Sequence, residues 1–285
     1  MQLNNQKKGM LMAFLAVMFL TPDSLFIRLA NISSWNLIFY RGFIPFCVVF
    51  IGLLFVYKTN LIKHTFSNGW YGIAYALVFA ITNITFVISI ENTNVANTLI
   101  MIALSPMLSA ILSFVFLKEI PDKKTWVAII ITTLSVVYIF YAAMDTGDIL
   151  GNALGLLTAS GLAVGAVIIR SAKKIDLVPS AMIGKLLVAL IAFYFADNLN
   201  LKGSDLAIVP LMCVMCVALP FVLVTMAPRY ITAAEVNLFF LLETILGPLW
   251  VWIAIKEEAS IETLIGGSII IAVIATHSAL SLKKT

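Results

Sequence analysis

The chain has 285 residues, 62% of them hydrophobic and 11% charged, whereas soluble domains carry about 25% charged residues. Too few polar side chains exist to cover a water-soluble globule of this length, and the charges cluster between apolar runs, which is the pattern of a polytopic membrane protein. The formal charge of +4 does not point to nucleic acid as a partner, because the lysines and arginines sit between the runs and form no aromatic-interleaved patch.

In chain order the runs lie near 9–30, 34–57, 69–90, 95–117, 125–143, 151–171, 178–197, 205–227, 232–255 and 261–281. Each is long enough, as a helix, to cross roughly 30 Å of hydrocarbon. None shows the ten-residue length and period of two expected of barrel strands. The expectation is an all-α membrane protein with ten transmembrane helices. The first run follows Lys7 and Lys8 as a signal peptide would, but it is too long for one and lacks an A-x-A cleavage site, so it reads as a retained span. The connections are short, with no room for a soluble domain between spans.

The first run places Pro22 and Asp23 side by side. Proline removes a backbone donor and frees the carbonyl of Met18, which predicts a kink. A carboxylate inside a membrane is costly unless it is paired or faces a wet cavity. Arg41, in the second run, falls at the same depth, roughly 10 Å from the rim at 1.5 Å per residue, so an Asp23–Arg41 ion pair is expected. Two readings stand side by side: a fixed clamp between two helices, and a substrate contact. Tyr40, beside Arg41, and Asn83, at similar depth in the third run, extend the cluster.

In the seventh run Lys185 is a cation without a matched carboxylate; Glu235 is a candidate partner, and snorkelling to the interface is the alternative. Asn237, in the ninth run, completes the candidate substrate-binding set of Asp23, Tyr40, Arg41, Asn83, Lys185 and Asn237. Glu243, halfway along the ninth run, is the deepest ionisable group. Burial there disfavours its charged form, which suits a group that takes up and releases a proton, and a permanently protonated, hydrogen-bonded glutamate is the competing reading. Trp250 and Trp252, with Trp35, Trp70, Tyr71 and Trp126, read mainly as interfacial aromatics. Gly151, Gly155, Gly161 and Gly165 let the sixth run approach a neighbour closely. Cys47, Cys213 and Cys216 read as small buried hydrophobes rather than zinc ligands, since no histidine lies nearby in sequence. No metal site or cofactor is expected.

The chain repeats itself. Gly9 and Arg28 enclose the first run as Gly151 and Arg170 enclose the sixth, and ALSPMLSAILSFVFLKE (103–119) aligns without gaps to LLETILGPLWVWIAIKE (241–257). Five spans per copy is an odd number, so the second copy must lie inverted in the bilayer, an arrangement typical of secondary transporters. The expected units are 1–146 and 147–285. Lysine and arginine counts set the orientation: Lys7, Lys8, Lys58, Lys63, Lys118, Lys123, Lys124, Arg170, Lys173, Lys174, Arg229, Lys283 and Lys284 fall on one side, against Lys202 and Lys256, with Arg28 at the rim, on the other. Both termini are therefore expected in the cytoplasm.

With Lys118–Glu119 and Lys256–Glu257 closing the fourth and ninth spans, and Leu242–Glu243 within the ninth, the chain resembles the EamA-type transporters of the drug/metabolite transporter superfamily. It departs from their pattern where Thr244 stands in place of a proline and Ser105 in place of a glutamate. The resemblance implies a central cavity lined by the first four helices of each half, with the fifth and tenth outside as support or as a homodimer contact, and export of small metabolites or amino acids. Charges of both signs in the cavity suit a zwitterion. No P-loop, H-E-x-x-H or Ser/His/Asp constellation appears, so neither ATP-driven transport nor an enzyme is expected. The expected function is a secondary carrier of the cytoplasmic membrane, with a small-molecule substrate, the lipid bilayer and a coupling proton as its partners. The alternatives are an uncoupled uniporter or exchanger, an intramembrane enzyme, and a non-transporting membrane subunit.

Overall fold

The computed structural model describes residues 2–93, 95–142 and 149–256, and scattered positions from 261 to 277. The described residues form helices and contain no strand. In order these are α1 (Gln2–Leu20), α2 (Asp23–Leu29), α3 (Ser34–Tyr57), α4 (Leu61–Ser67), α5 (Gly69–Asn92), α6 (Val95–Ile102), α7 (Ser105–Leu112, continuing as a π-turn to Leu117), α8 (Lys123–Ala142), α9 (Ile149–Ser171), α10 (Val178–Phe195), α11 (Asp205–Met212, followed by a π-turn over Cys213–Ala218), α12 (Leu219–Met226), α13 (Ala233–Phe240) and α14 (Glu243–Ile255).

Seven stretches of the described chain are long and apolar enough to cross a membrane: Asn5–Leu29, Ser34–Ser67, Gly69–Asn92, Leu150–Ser171, Val178–Phe195, Asp205–Arg229 and Ala233–Ile255. The protein is thus a multi-pass membrane protein. The expected fourth span, 95–117, is interrupted at Ala103–Leu104, and the expected fifth is the helix α8. Much of the expected tenth lies outside the described residues. Large apolar side chains such as Phe55, Phe116, Leu134 and Tyr194 point outward, as a lipid solvent requires.

The first and last of these stretches and the expected fourth span are each broken, and each break has a local cause. At Thr21–Pro22 the proline cannot donate to the carbonyl of Met18, and the Thr21 hydroxyl donates to it instead, at 3.1 Å. The Trp250 indole N–H of α14 in turn donates to Thr21 Oγ1 at 3.0 Å, so this tryptophan ties two broken helices together and is more than an interfacial anchor. At Ala103–Leu104 the cause is Pro106, in the first turn of α7. At Leu241–Leu242 no proline occupies the equivalent position. Thr244 stands there, and its hydroxyl takes the Leu241 carbonyl at 2.7 Å, while Leu241 and Leu242 fall back on i→i−3 bonds to Leu238 and Phe239. The last two breaks fall at aligned residues of the repeated segment. The segments also end alike, with Lys118 (φ 56°) and Lys256 (φ 63°) in the left-handed region that non-glycine residues seldom enter.

When the two expected repeats are mapped onto each other, helix contacts correspond with their partners exchanged. Helix α5 packs on α9, and α1 on α12; α10 packs on α5, and α3 on the Cys213–Ala218 turn; α6 and α7 pack on α9, as α14 and α13 do on α2 and α1. The exchange reaches single residues. The Asn237 amide donates to Ser109 Oγ, and the residues aligned with these two, Leu99 and Gly247, also meet, so that a Cβ on Gly247 would lie 3.0 Å from Leu99 Cδ1. Helices α3 and α10 approach closely at Gly42, where a Cβ would lie 2.5 Å from the Ala189 nitrogen. The glycine stripe of α9 faces inward: Gly151 abuts the Asn92 carbonyl, Gly155 abuts Met101 and Gly161 abuts Thr82.

The two ends of the bundle are tied differently. At one end Asp176 accepts from Tyr57 and lies 3.8 Å from Arg229. Asn68 donates to the Asp176 carbonyl and to Ser180, and Arg170 donates to Glu119 at 2.9 Å. At the other end the Asn31 N–H donates to buried Asp205 at 3.1 Å, Asn36 donates to the Asn198 carbonyl at 2.6 Å, and Tyr40 donates to the Leu199 carbonyl.

Candidate functional site

The break in the first span starts α2 at Asp23, whose side chain is fully buried between helices. Arg41, also buried, comes from the middle of α3 and grips it with both arms of its fork: Nη1 donates to Oδ1 at 2.5 Å and Nη2 to Oδ2 at 2.7 Å. Nη1 also reaches Met212 Sδ at 3.5 Å, and the guanidinium sits 5.8 Å from the centre of the Phe86 ring. Such a bidentate pair satisfies both charges in a low-dielectric setting.

Lys185, from α10, is fully buried. Its Nζ donates to Asn83 Oδ1, and Asn83 is held on α5 by a 2.7 Å bond from its amide to the Phe79 carbonyl. The ammonium lies 5.3 Å from the centre of the Phe79 ring and 5.9 Å from that of Phe221. Both sequence-based expectations for Lys185 are thereby corrected. It does not snorkel, because Asn83 meets it at depth. Nor does it pair with Glu235, which forms a capping box with Thr232 at the start of α13 and is engaged there.

Glu243 opens α14, directly after the break, and is 2% exposed. Its Oε1 is buried without a hydrogen-bond partner.

Asp23, Arg41, Asn83, Lys185 and Glu243 all line one cavity of about 100 Å³. Its remaining wall is mostly apolar, with Phe79, Phe86, Phe221, Phe240, Leu162 and Val224 prominent. A second hollow of about 60 Å³ shares Phe79, Thr82, Asn83 and Phe240 with the first, and is bordered by Asn237. Tyr40 is not among the lining residues of either; its hydroxyl is spent on Leu199 at the bundle end. The sequence reading therefore includes the five charged and amide residues of the lining but misses Thr82, Thr158 and the phenylalanines. The chain has 19 phenylalanines, and nothing in their spacing separates those facing the hollow from those facing lipid.

Among the described residues the arrangement is a closed ion pair, a second cation held by an amide and two rings, and a carboxyl with one unpartnered oxygen, around a hollow of about 100 Å³. Among the described residues that line it, none is a nucleophile hydrogen-bonded to a histidine or a carboxylate.

Comparison with known proteins adds the following. The sequence model of the EamA-like transporter family matches residues 7–141, so the resemblance to these transporters holds over that segment. One solved structure, described only as the crystal structure of a protein, superposes on 98% of this chain and 99% of its own with a TM-score of 0.79 at 16% identity; a likeness at that identity shows the fold alone. No curated protein sequence matches.

Proposed function

We infer that the protein is a secondary transporter of the cytoplasmic membrane that moves a small polar or zwitterionic metabolite outward by alternating access. In this reading ten transmembrane helices form two inverted units, 1–146 and 147–285, with both termini in the cytoplasm and the substrate held between Asp23, Arg41, Asn83, Lys185 and Asn237. Glu243 carries the coupling proton.

The observation that carries the reading is the cavity itself: five ionisable or amide side chains converge on one interior hollow, bordered by helices broken at aligned residues. Broken helices around a central site are the architecture by which carriers bind substrate at depth while exposing it to either side in turn. The exchange of helix partners under the repeat supports the duplicated arrangement. The end-to-end ties agree with ten-span threading, which puts Tyr57, Asn68, Asp176 and Arg229 on one face and Asn31, Asn36, Asn198 and Asp205 on the other. For Glu243 the support is its idle, buried oxygen.

The test is counterflow into proteoliposomes with labelled amino acids, related osmolytes and small organic acids. Uptake of at least one compound above that of protein-free vesicles is expected. Uptake of every compound equal to that of empty vesicles would refute the carrier reading.

A further inference from the structure

The charges around the cavity are not evenly committed. Asp23 and Arg41 neutralise each other through two short bonds. Among the described residues Lys185 has no carboxylate within bonding distance. Asp23 lines the same cavity, but Arg41 occupies both of its oxygens. A buried cation in that position is costly unless an anion joins it. The amide oxygen of Asn83 and the faces of Phe79 and Phe221 stabilise the ammonium only in part.

The rest of the wall sets the other requirement. Phe86, Phe240, Leu162, Val224 and Pro220 present carbon to the hollow, so whatever reaches Lys185 must have an apolar body. Glu243 lines the same cavity, but it forms no ion pair with Lys185 and so does not supply the missing anion.

We propose that Lys185 and Asn83 form the anion subsite of the cavity, that the substrate is a small amphipathic carboxylate, and that its carboxylate takes Asn83's place on the Lys185 ammonium while its apolar part packs against Phe79, Phe221 and Phe240. The assignment rests on the cavity being the carrier's substrate site. A carboxylate is required; an amino group on the same molecule is not.

Three compounds that share one branched apolar chain separate the charges: L-leucine carries both, 4-methylpentanoate only the carboxylate, and isoamylamine only the ammonium. Binding to the purified, full-length protein in detergent is read as the concentration-dependent rise of its unfolding temperature, independently of any transport. Leucine and 4-methylpentanoate are expected to stabilise the protein, and isoamylamine is not. Lys185→Gln is expected to weaken carboxylate binding about ten- to a hundredfold, the loss of one charge-assisted hydrogen bond, while Lys185→Arg keeps the preference for the carboxylate. Should Lys185→Gln fail to fold, the three compounds on the unaltered protein, together with Lys185→Arg, which keeps the charge, serve as the check. Stabilisation by isoamylamine alone, unchanged carboxylate binding in Lys185→Gln, or no carboxylate-dependent stabilisation at all would overturn the proposal. Carboxylate binding without counterflow of any compound would leave the anion subsite standing and refute the carrier reading instead.

Discussion

Replacing Arg41 by methionine keeps most of the side-chain volume and removes the charge. Asp23 then remains fully buried with two unpaired oxygens, having lost bonds of 2.5 and 2.7 Å. Removing one partner of a buried ion pair costs about 3–5 kcal/mol, because the other charge is left uncompensated. With each kcal/mol lowering the midpoint of a large domain by about 2–4 °C, the drop comes to roughly 6–20 °C. The assay is the fraction of protein still eluting as a single species from size-exclusion chromatography in detergent after heating at a fixed rate, since membrane proteins rarely unfold reversibly. Replacing both partners, Asp23→Leu with Arg41→Met, should restore most of the loss, because an apolar pair of similar volume is often no less stable than a buried ion pair. Transport by the double variant then separates the two roles: activity near the unaltered level identifies a clamp, and a stable but inactive protein identifies substrate contact. A drop of under about 1 kcal/mol in Arg41→Met, the value for exposed pairs, would refute the reasoning, as would a double variant no more stable than the singles.

Three other outcomes are expected. Glu243→Gln, altering a carboxyl whose Oε1 bonds to nothing, should leave the thermal midpoint nearly unchanged and permit exchange in counterflow while abolishing proton-driven accumulation; full accumulation in the variant would remove Glu243 from coupling. Gly42→Ala puts a methyl 2.5 Å from the Ala189 nitrogen and 2.8 Å from the Lys185 carbonyl, backbone atoms that cannot turn aside, so α3 and α10 must separate at a cost of about 1–3 kcal/mol, seen as a lower midpoint; an unchanged midpoint would mean that the helices sit farther apart. Trp250→Phe deletes the donor to Thr21 Oγ1 and should cost about 1 kcal/mol, whereas the same change at Trp252, which has no such partner, should cost less; equal effects would make both tryptophans plain interfacial residues.

Much of the helix inventory was legible because apolar length is a direct reading of the solvent. The run 34–57 coincides with α3 (Ser34–Tyr57), and 178–197 and 232–255 differ from the structure by two residues or fewer. The Asp23–Arg41 pair followed from helical rise and the expense of an unpaired charge. What remained hidden depends on neighbours. The break before Glu243 has no proline to announce it and arises from a threonine hydroxyl competing for a carbonyl. Lys185 finds Asn83 across helices far apart in sequence, so searching along the chain for a carboxylate led to Glu235, which caps its own helix. Tyr40 adjoins Arg41 in sequence, but successive residues of a helix point about 100° apart, and the hydroxyl goes to Leu199 instead of the hollow.

The paired crossings of the broken segments have a thermodynamic consequence. A chain made of two identical copies would possess two interchangeable arrangements, inward- and outward-facing, of equal free energy, and would idle evenly between them. Here one crossing is fastened by the amide of Asn237 on the hydroxyl of Ser109, while its twin is bare hydrocarbon against Gly247. The difference between the two crossings amounts to one neutral hydrogen bond, about 1 kcal/mol. In the carrier reading, a bond of that strength that opens in only one of the two states would weight the resting equilibrium roughly fivefold, without any change in what the protein carries.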